Sequence, residues 1–403
     1  MNVIDIFKLA PVKPFTSKSA TPRNAVDPAL VFGLELETEG IPVTPDTLYV
    51  SGMGGEVDNS LRGTAAGSPW EYITKPATYS VMMDILERFF EKAKFTEANY
   101  SERCSVHVHV NVQDCSVAQL KAICFLYQVF ERALFNFAGH ERDKNIFCVP
   151  WNQTIITHSL VDSFTPETID RGVKKWMKYT GLNLIPIHTQ GTIEFRHLPG
   201  TADVNRISTW LQLLASLVSY GKNTDVAALE KEVIALNTNS EYKQFFYKVF
   251  RDYSFALQEN NLDHLLELGV MDMKYAIMSS RTRKRAASAP GLPEPAPGRA
   301  LGDAVIHDEA PQPREVIDDL LMDRAIRRNN EIRAGIRGGD ERVRVNAAPQ
   351  GGAWQGIAQQ REDFAQWIAA VDALRRPAEP VAPNPFAAPA RPARPRPMPR
   401  PNR

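Results

Sequence analysis

Glu194 and Arg196 stand two residues apart within Leu182–Thr201, LNLIPIHTQGTIEFRHLPGT. Side chains two apart in a strand share a face, so this carboxylate and guanidinium project together while Ile193 and Phe195 project the other way. Alone, the pair reads as a surface ion pair on a half-buried strand. Two other stretches repeat the design. In Val31–Thr38, VFGLELET, Glu35 and Glu37 share one face and Leu34 and Leu36 the other; in Val106–Val110, VHVHV, His107 and His109 share a face backed by valines. Glu71, in a short strand Trp70–Thr74, is able to join the acidic side. Carboxylate oxygens with an occasional imidazole suit Mg2+ or Mn2+, whereas zinc sites lean on His and Cys at closer spacing. Two such ions would neutralise acids that otherwise repel one another, and would bridge the phosphates of a nucleotide. Arg196 would then hold a phosphoryl group or a carboxylate through paired N–H donors.

Gathering these residues requires one sheet with its front open and its back on helices. The helices are legible from their apolar stripes. Val81, Ile85, Leu86 and Phe89 mark one over Tyr79–Lys94. Ser116 with Gln119 three residues on is a capping box, opening a helix whose stripe includes Leu120, Ile123, Cys124 and Tyr127 and which Gly139 ends. A helix over Pro166–Lys178 carries Lys174, Lys175 and Lys178, read as a complement to its dipole. Asp203–Tyr220 is another, and two or three more fill roughly 225–278. Ser51–Gly67, with five glycines, reads as a loop held near something by its backbone, and Gln190–Gly191 as the turn between the two strands of Leu182–Thr201. Residues 1–28 are an N-terminal arm that wraps the main domain, 29–280, or stays loose.

Composition narrows the class. Lys plus Arg and Asp plus Glu are 47 each, so no global charge argues for nucleic acid or a membrane surface. The four cysteines, Cys104, Cys115, Cys124 and Cys148, show no CxxC spacing and fit reduced thiols in a cytoplasmic protein. Cys124 reads as core, and Cys104 as a weak nucleophile with only Arg103 beside it. The N-terminus, with Asp5 and a short apolar run, does not make a secretory signal, and no apolar run approaches the roughly 20 residues that span a bilayer. Composition breaks at Arg281–Arg285, beyond which lysine no longer occurs. A linker over 281–314, a helical appendage over 315–376 and an extended Pro/Arg-rich tail over 377–403 follow. The amphipathic stripe from Trp354 to Leu374 needs a partner face, and the tail suits an acidic partner or a solvated tether.

The ordered segments GLELE at 33–37, EVDNSLR at 56–62, PWEYITKP at 69–76, CSVHVHV at 104–110, and YTGLNL with TIEFRHLPGT between 179 and 201 resemble the motifs of the amidoligases, carboxylate–amine ligases related to glutamine synthetase. The resemblance covers about residues 30–221 and departs mildly at Asn59, where the family commonly has Gly. It implies an α+β fold, an antiparallel open sheet forming a glutamine-synthetase-like funnel backed by helices, with ATP and two or three Mg2+ ions. By resemblance Glu35, Glu37, Glu71, His107 or His109, and Glu194 are metal ligands. Arg196, Ser60, Arg62, His109 and Asn183 match nucleotide contacts, and Glu35, Glu37, Asp58 and Arg196 the catalytic set. The implied reaction passes through an acyl phosphate, with carboxylate and amine left unnamed and the base open among Glu56, Asp58 and a spare histidine. Two other classes use the same residues or the same chain: a metal-dependent hydrolase working on the Glu/His face, and an assembly protein acting through its C-terminal extension.

Overall fold

The computed structural model describes residues 1–288 apart from 42–47, 59, 62, 64–66, 97–98, 140–141, 155–160 and 259–260, and only the backbone of 282–288. All of these belong to the first of the chain's two units, Met1–Arg337. The appendage over 315–376, the tail over 377–403, Asn59 and Arg62 lie outside the described residues.

Seven strands form one sheet: β1 (Val31–Ile41), β2 (Met53–Val57), β3 (Ser68–Thr74), β4 (Ala77–Thr78), β5 (Ser105–Asn111), β6 (Leu182–Asn183) and β7 (Thr192–Pro199). Their order is β2-β3-β1-β5-β7-β6 with β4 paired to β1, and every pairing is antiparallel. The helices are α1 (Val3–Phe7), α2 (Tyr79–Ala93), α3 (Val117–Ala138), α4 (Ile169–Lys174), α5 (Val204–Lys222), α6 (Val226–Ala235), α7 (Asn239–Phe250) and α8 (Leu262–Ser288). The fold is therefore mixed helix and open antiparallel sheet.

Alternation along the strands decides which side faces the helices. Phe32, Leu34 and Leu36 of β1, the three valines of β5, and Ile193 and Phe195 of β7 are all buried in one core with α2, α3 and α5. The caps are those the sequence announces: Ser116 and Gln119 bond reciprocally, at 3.2 and 2.8 Å, and Asp203 accepts the backbone N–H groups of Asn205 and Arg206. The arm is laid along the domain. Val3 and Ile4 donate to the carbonyls of Cys115 and Gln113, Ser17 and Ser19 bond Asp84, and Arg23 pairs with Glu87. No helix among the described residues is long and apolar enough to cross a membrane.

The structure departs from the sequence reading at four places. Part of the glycine-rich loop is strand: Met53–Val57 pairs with β3 at the sheet's edge, where Gly54 meets nothing on its open side. The helix expected over Pro166–Lys178 shrinks to six residues, and Lys178 lies beyond its end. β6 is only two residues long, because Pro186 opens a short 3-10 turn over Ile185–His188 before Gly191, at φ +70°, turns the chain into β7. The composition break at Arg281 does not end α8, because Arg, Lys and Ala sustain a helix up to Ser288.

A contact with no slack joins α8 to α3. A Cβ on Gly269 of α8 would fall on the Val129 carbonyl of α3. Gly269→Ala should therefore cost about 1–3 kcal/mol, the range for overpacking, seen as a lowered thermal midpoint. Gly54→Ala, with open space, should be near neutral, and equal effects at the two sites would refute this account of the helix contact.

Candidate active site

Cross-strand register places the polar residues in rows across the sheet's front. Glu56, Glu71 and Glu37 face one another across β2, β3 and β1; Glu35 faces His107; and Glu194 lies between His109 and Asn183. Segments up to 161 residues apart in the chain, from Glu35 to Arg196, thus line one cavity of about 370 Å³, along with Asp58, Ser60, Arg103, Phe147, Lys178 and Tyr179. Glu37, His107, His109, Glu194 and Arg196 are buried, and Glu35 and Glu71 are half-buried.

Glu35 is the hub. His107 Nδ1 lies 3.0 Å from its Oε2 and His109 Nε2 3.1 Å from its Oε1, while His109 Nδ1 lies 3.0 Å from Thr192 Oγ1. Burial alone would raise the Glu35 pKa, but the bonds from both imidazoles hold it well below the usual carboxylate range. Glu194 is lowered too, because His107, Arg196 and His109 outweigh its burial. Arg196 Nη1 bonds Glu194, and its Nε donates to the Phe147 carbonyl at 3.2 Å. Asn183 Nδ2 donates to the other Glu194 oxygen at 2.6 Å and its Oδ1 accepts the N–H of Ile185, so both ends of this amide are engaged in holding the site. Glu71 goes the opposite way: burial, then the charges of Glu35, Glu37, Asp58 and Glu56, push it up to about 8.

Three overlapping groups bring ligand atoms within 4.8 Å of one another: Glu35, Glu71 and His107; Glu35, His109 and Glu194; and Glu37, Asp58 and Glu71. Glu37 Oε2 and His107 Nε2 are buried with no hydrogen-bond partner, as ligand atoms aimed at a cation would be. The donor set, oxygens with one imidazole in two of the three groups, fits a hard divalent ion.

Support comes from behind. In the pairing of β5 with β7, Val106 faces Leu198 and Val108 faces Phe195, so Arg196 and His197 together oppose His107 in a β-bulge. Strand alternation sends Arg196 to the cavity and His197 to the core among Tyr127, Phe135 and Trp210, and the bulge shifts the register so that Leu198 still pairs with Val106. Buried Arg142 braces it, donating from Nε to the His197 carbonyl at 2.8 Å and from Nη2 to the Arg196 carbonyl at 2.8 Å and Ser105 Oγ at 3.0 Å. Tyr127 joins His197 to buried Glu131, whose carboxylate also accepts the backbone N–H of Trp151 and, at 3.1 Å, of Asn152. Burial pushes His197 down to about 3, with Arg142 adding to it, and pushes Glu131 up to about 7.

Sequence reasoning gave no site role to Arg142, Phe147 or Lys178, and reached Tyr179 only as the first residue of YTGLNL. Lys178 carried a signal, but an overlong helix hid it; Arg142 and Phe147 sit in a stretch with no periodicity to read. All four cysteines are free and buried, and burial pushes Cys104 up to about 11, so thiolate chemistry finds no support in the structure.

An open antiparallel sheet presenting carboxylates, imidazoles and an arginine in one cavity defines a class of site with groups able to hold a hard cation. Residues 52–218, which contain β2 through most of α5, match the model of a family described as "putative amidoligase enzyme", and on that match this region is assigned to the amidoligases. Comparison with curated proteins gives no match.

The acidic row should be visible in stability. The Glu71 value, about 8, lies above the ordinary 4.5, so the unfolded chain releases this proton first. Stability present below about 4.5 is then lost as pH rises towards 8. Raised His109 acts in the same direction above 6.5. In chelator, the thermal midpoint should fall between pH 5 and about 8, Glu71→Gln should flatten that slope, and millimolar Mg2+ or Mn2+ should abolish it. A slope unchanged by the substitution would mean that other groups carry it.

Proposed function

We propose that this chain is an ATP- and Mg2+-dependent carboxylate–amine ligase that forms an amide bond through an acyl phosphate, on a glutamine-synthetase-like funnel. The observation that carries this reading is the overlap of three potential cation positions beside Arg196, in a cavity where Glu37 Oε2 and His107 Nε2 are buried without a hydrogen-bond partner. The family match supports the same chemistry at the level of a ligase.

Glu35, Glu37, Glu71, His107, His109 and Glu194 would hold two or three Mg2+ ions, with Mn2+ able to substitute. Bound there, such ions would offset the charge of the acids and of the nucleotide phosphates. The residues divide the remaining work. Arg196, fixed by Glu194 on one side and the Phe147 carbonyl on the other, presents a guanidinium to the oxygens of the transferring phosphoryl group. A carboxylate oxygen of the substrate displaces ADP from the γ-phosphorus; the amine then attacks the acyl carbon, the bond to phosphate breaks, and the nitrogen gives up a proton. Asp58, which lines the cavity and bonds neither histidine, accepts that proton. Most of the rate enhancement then comes from positioning and from charges fixed in advance. ATP supply and the four free thiols suit the cytoplasm.

The test is to incubate purified protein with ATP, Mg2+ and a cell extract, and to search by mass spectrometry for pairs of molecules joined with loss of water. ADP release should require both a carboxylate and an amine, and Glu35→Ala, Glu194→Ala and Arg196→Ala should each lower it about 100-fold or more. Mg·ATP at a hundred times its Kd should stabilise the fold by about 2.7 kcal/mol. Cleavage of amides or phosphoesters without nucleotide would replace this reading by a hydrolase, and full function in all three variants would leave a binding protein.

A further inference from the structure

The lining of the cavity holds a feature that the ligase reading does not use. Phe147 and Tyr179 meet edge to face, with ring centroids 5.6 Å apart at 79°. Three cations surround this pair: Arg103 lies 5.1 Å from the Phe147 centroid, and Lys178 and Arg196 lie 5.7 and 5.9 Å from that of Tyr179. Arg196 is committed to Glu194, but neither Arg103 nor Lys178 meets a carboxylate among the described residues.

These two side chains commit few of their donors to the protein, and Lys178 is exposed. Arg103 gives one N–H to the Ser60 carbonyl, out of the five that a guanidinium carries, and its Nε is buried without a partner. Lys178 makes no hydrogen bond among the described residues, although it lines the same cavity. Five carboxylates line that cavity, yet these two cations sit apart from them on aromatic rings. Rings fix where the charges stand without neutralising them, which is how a site keeps cations available for an incoming anion.

We propose that Arg103 and Lys178, carried on Phe147 and Tyr179, form a second anion-binding position in this cavity, separate from Arg196, that takes an oxyanion group, carboxylate or phosphate. Two sources present that chemistry: the nucleotide itself, or a second acidic group on the molecule to be acylated. The placement in the cavity rests on the ligase reading, but the anion site does not require it.

The experiment uses the full chain saturated with Mg2+ at constant ionic strength, with a non-hydrolysable ATP analogue and glutarate as probes and butyrate as the single-charge control. Arg103→Met with Lys178→Met should weaken at least one of the first two about tenfold or more, the equivalent of one charge-assisted hydrogen bond. Arg103→Lys with Lys178→Arg keeps the charges and should restore most of the affinity, while thermal melts verify folding of both variants. Loss on the analogue assigns the site to nucleotide; loss on glutarate, with butyrate unaffected and the analogue unchanged, assigns it to the acyl substrate. Wild-type affinity for every probe in the Met variant would overturn the proposal, as would failure of the wild-type protein to bind either anion. An analogue that does not bind, beside glutarate that binds through Arg103 and Lys178, would defeat the ligase reading and leave the anion site standing.

Discussion

Five carboxylates crowded on one sheet face repel one another, and the rest of this architecture answers that repulsion. Two of them, Glu35 and Glu194, are held ionised by histidines and an arginine that the sheet itself brings to them. Glu71 has no such partner among the described residues, and burial together with its acidic neighbours raises its pKa. A fold meant only to be stable would replace such a row with apolar residues, because buried charge networks rarely improve on packing. Keeping it makes sense where the missing countercharge arrives with a ligand.

Short-range chemistry made much of this legible. Alternation in VFGLELET and VHVHV assigns both faces of β1 and β5, since a slip by one residue would bury acids and expose valines. Ser116, Gln119 and Asp203 declare the starts of two helices through local bonds that need no tertiary partner. Order of strands is another matter. Nothing in the sequence of β5 states that β1 and β7 flank it, yet that adjacency is what puts Glu35 and Glu194 on either side of the histidines.

What stayed hidden is what long-range packing creates. The aromatic pair Phe147 and Tyr179 joins residues 32 positions apart in irregular segments, where no period exists to read. Glycines at 54 and 55 mimic a loop because glycine is as much at home on an unpacked edge strand as in a turn. Pro186 shortened a strand that its neighbours would otherwise have extended, and with it made the tight turn that carries Gln190 to the cavity wall.

The bulge at Arg196 and His197 ties the two sides of the sheet together. One surplus residue sets the phase of β7, so the guanidinium in the cavity and the imidazole among the core aromatics are allotted by strand length as much as by residue type. Insertions and deletions are usually absorbed by loops, but here a single-residue change in length would misassign both, and no choice of replacement side chain would repair it.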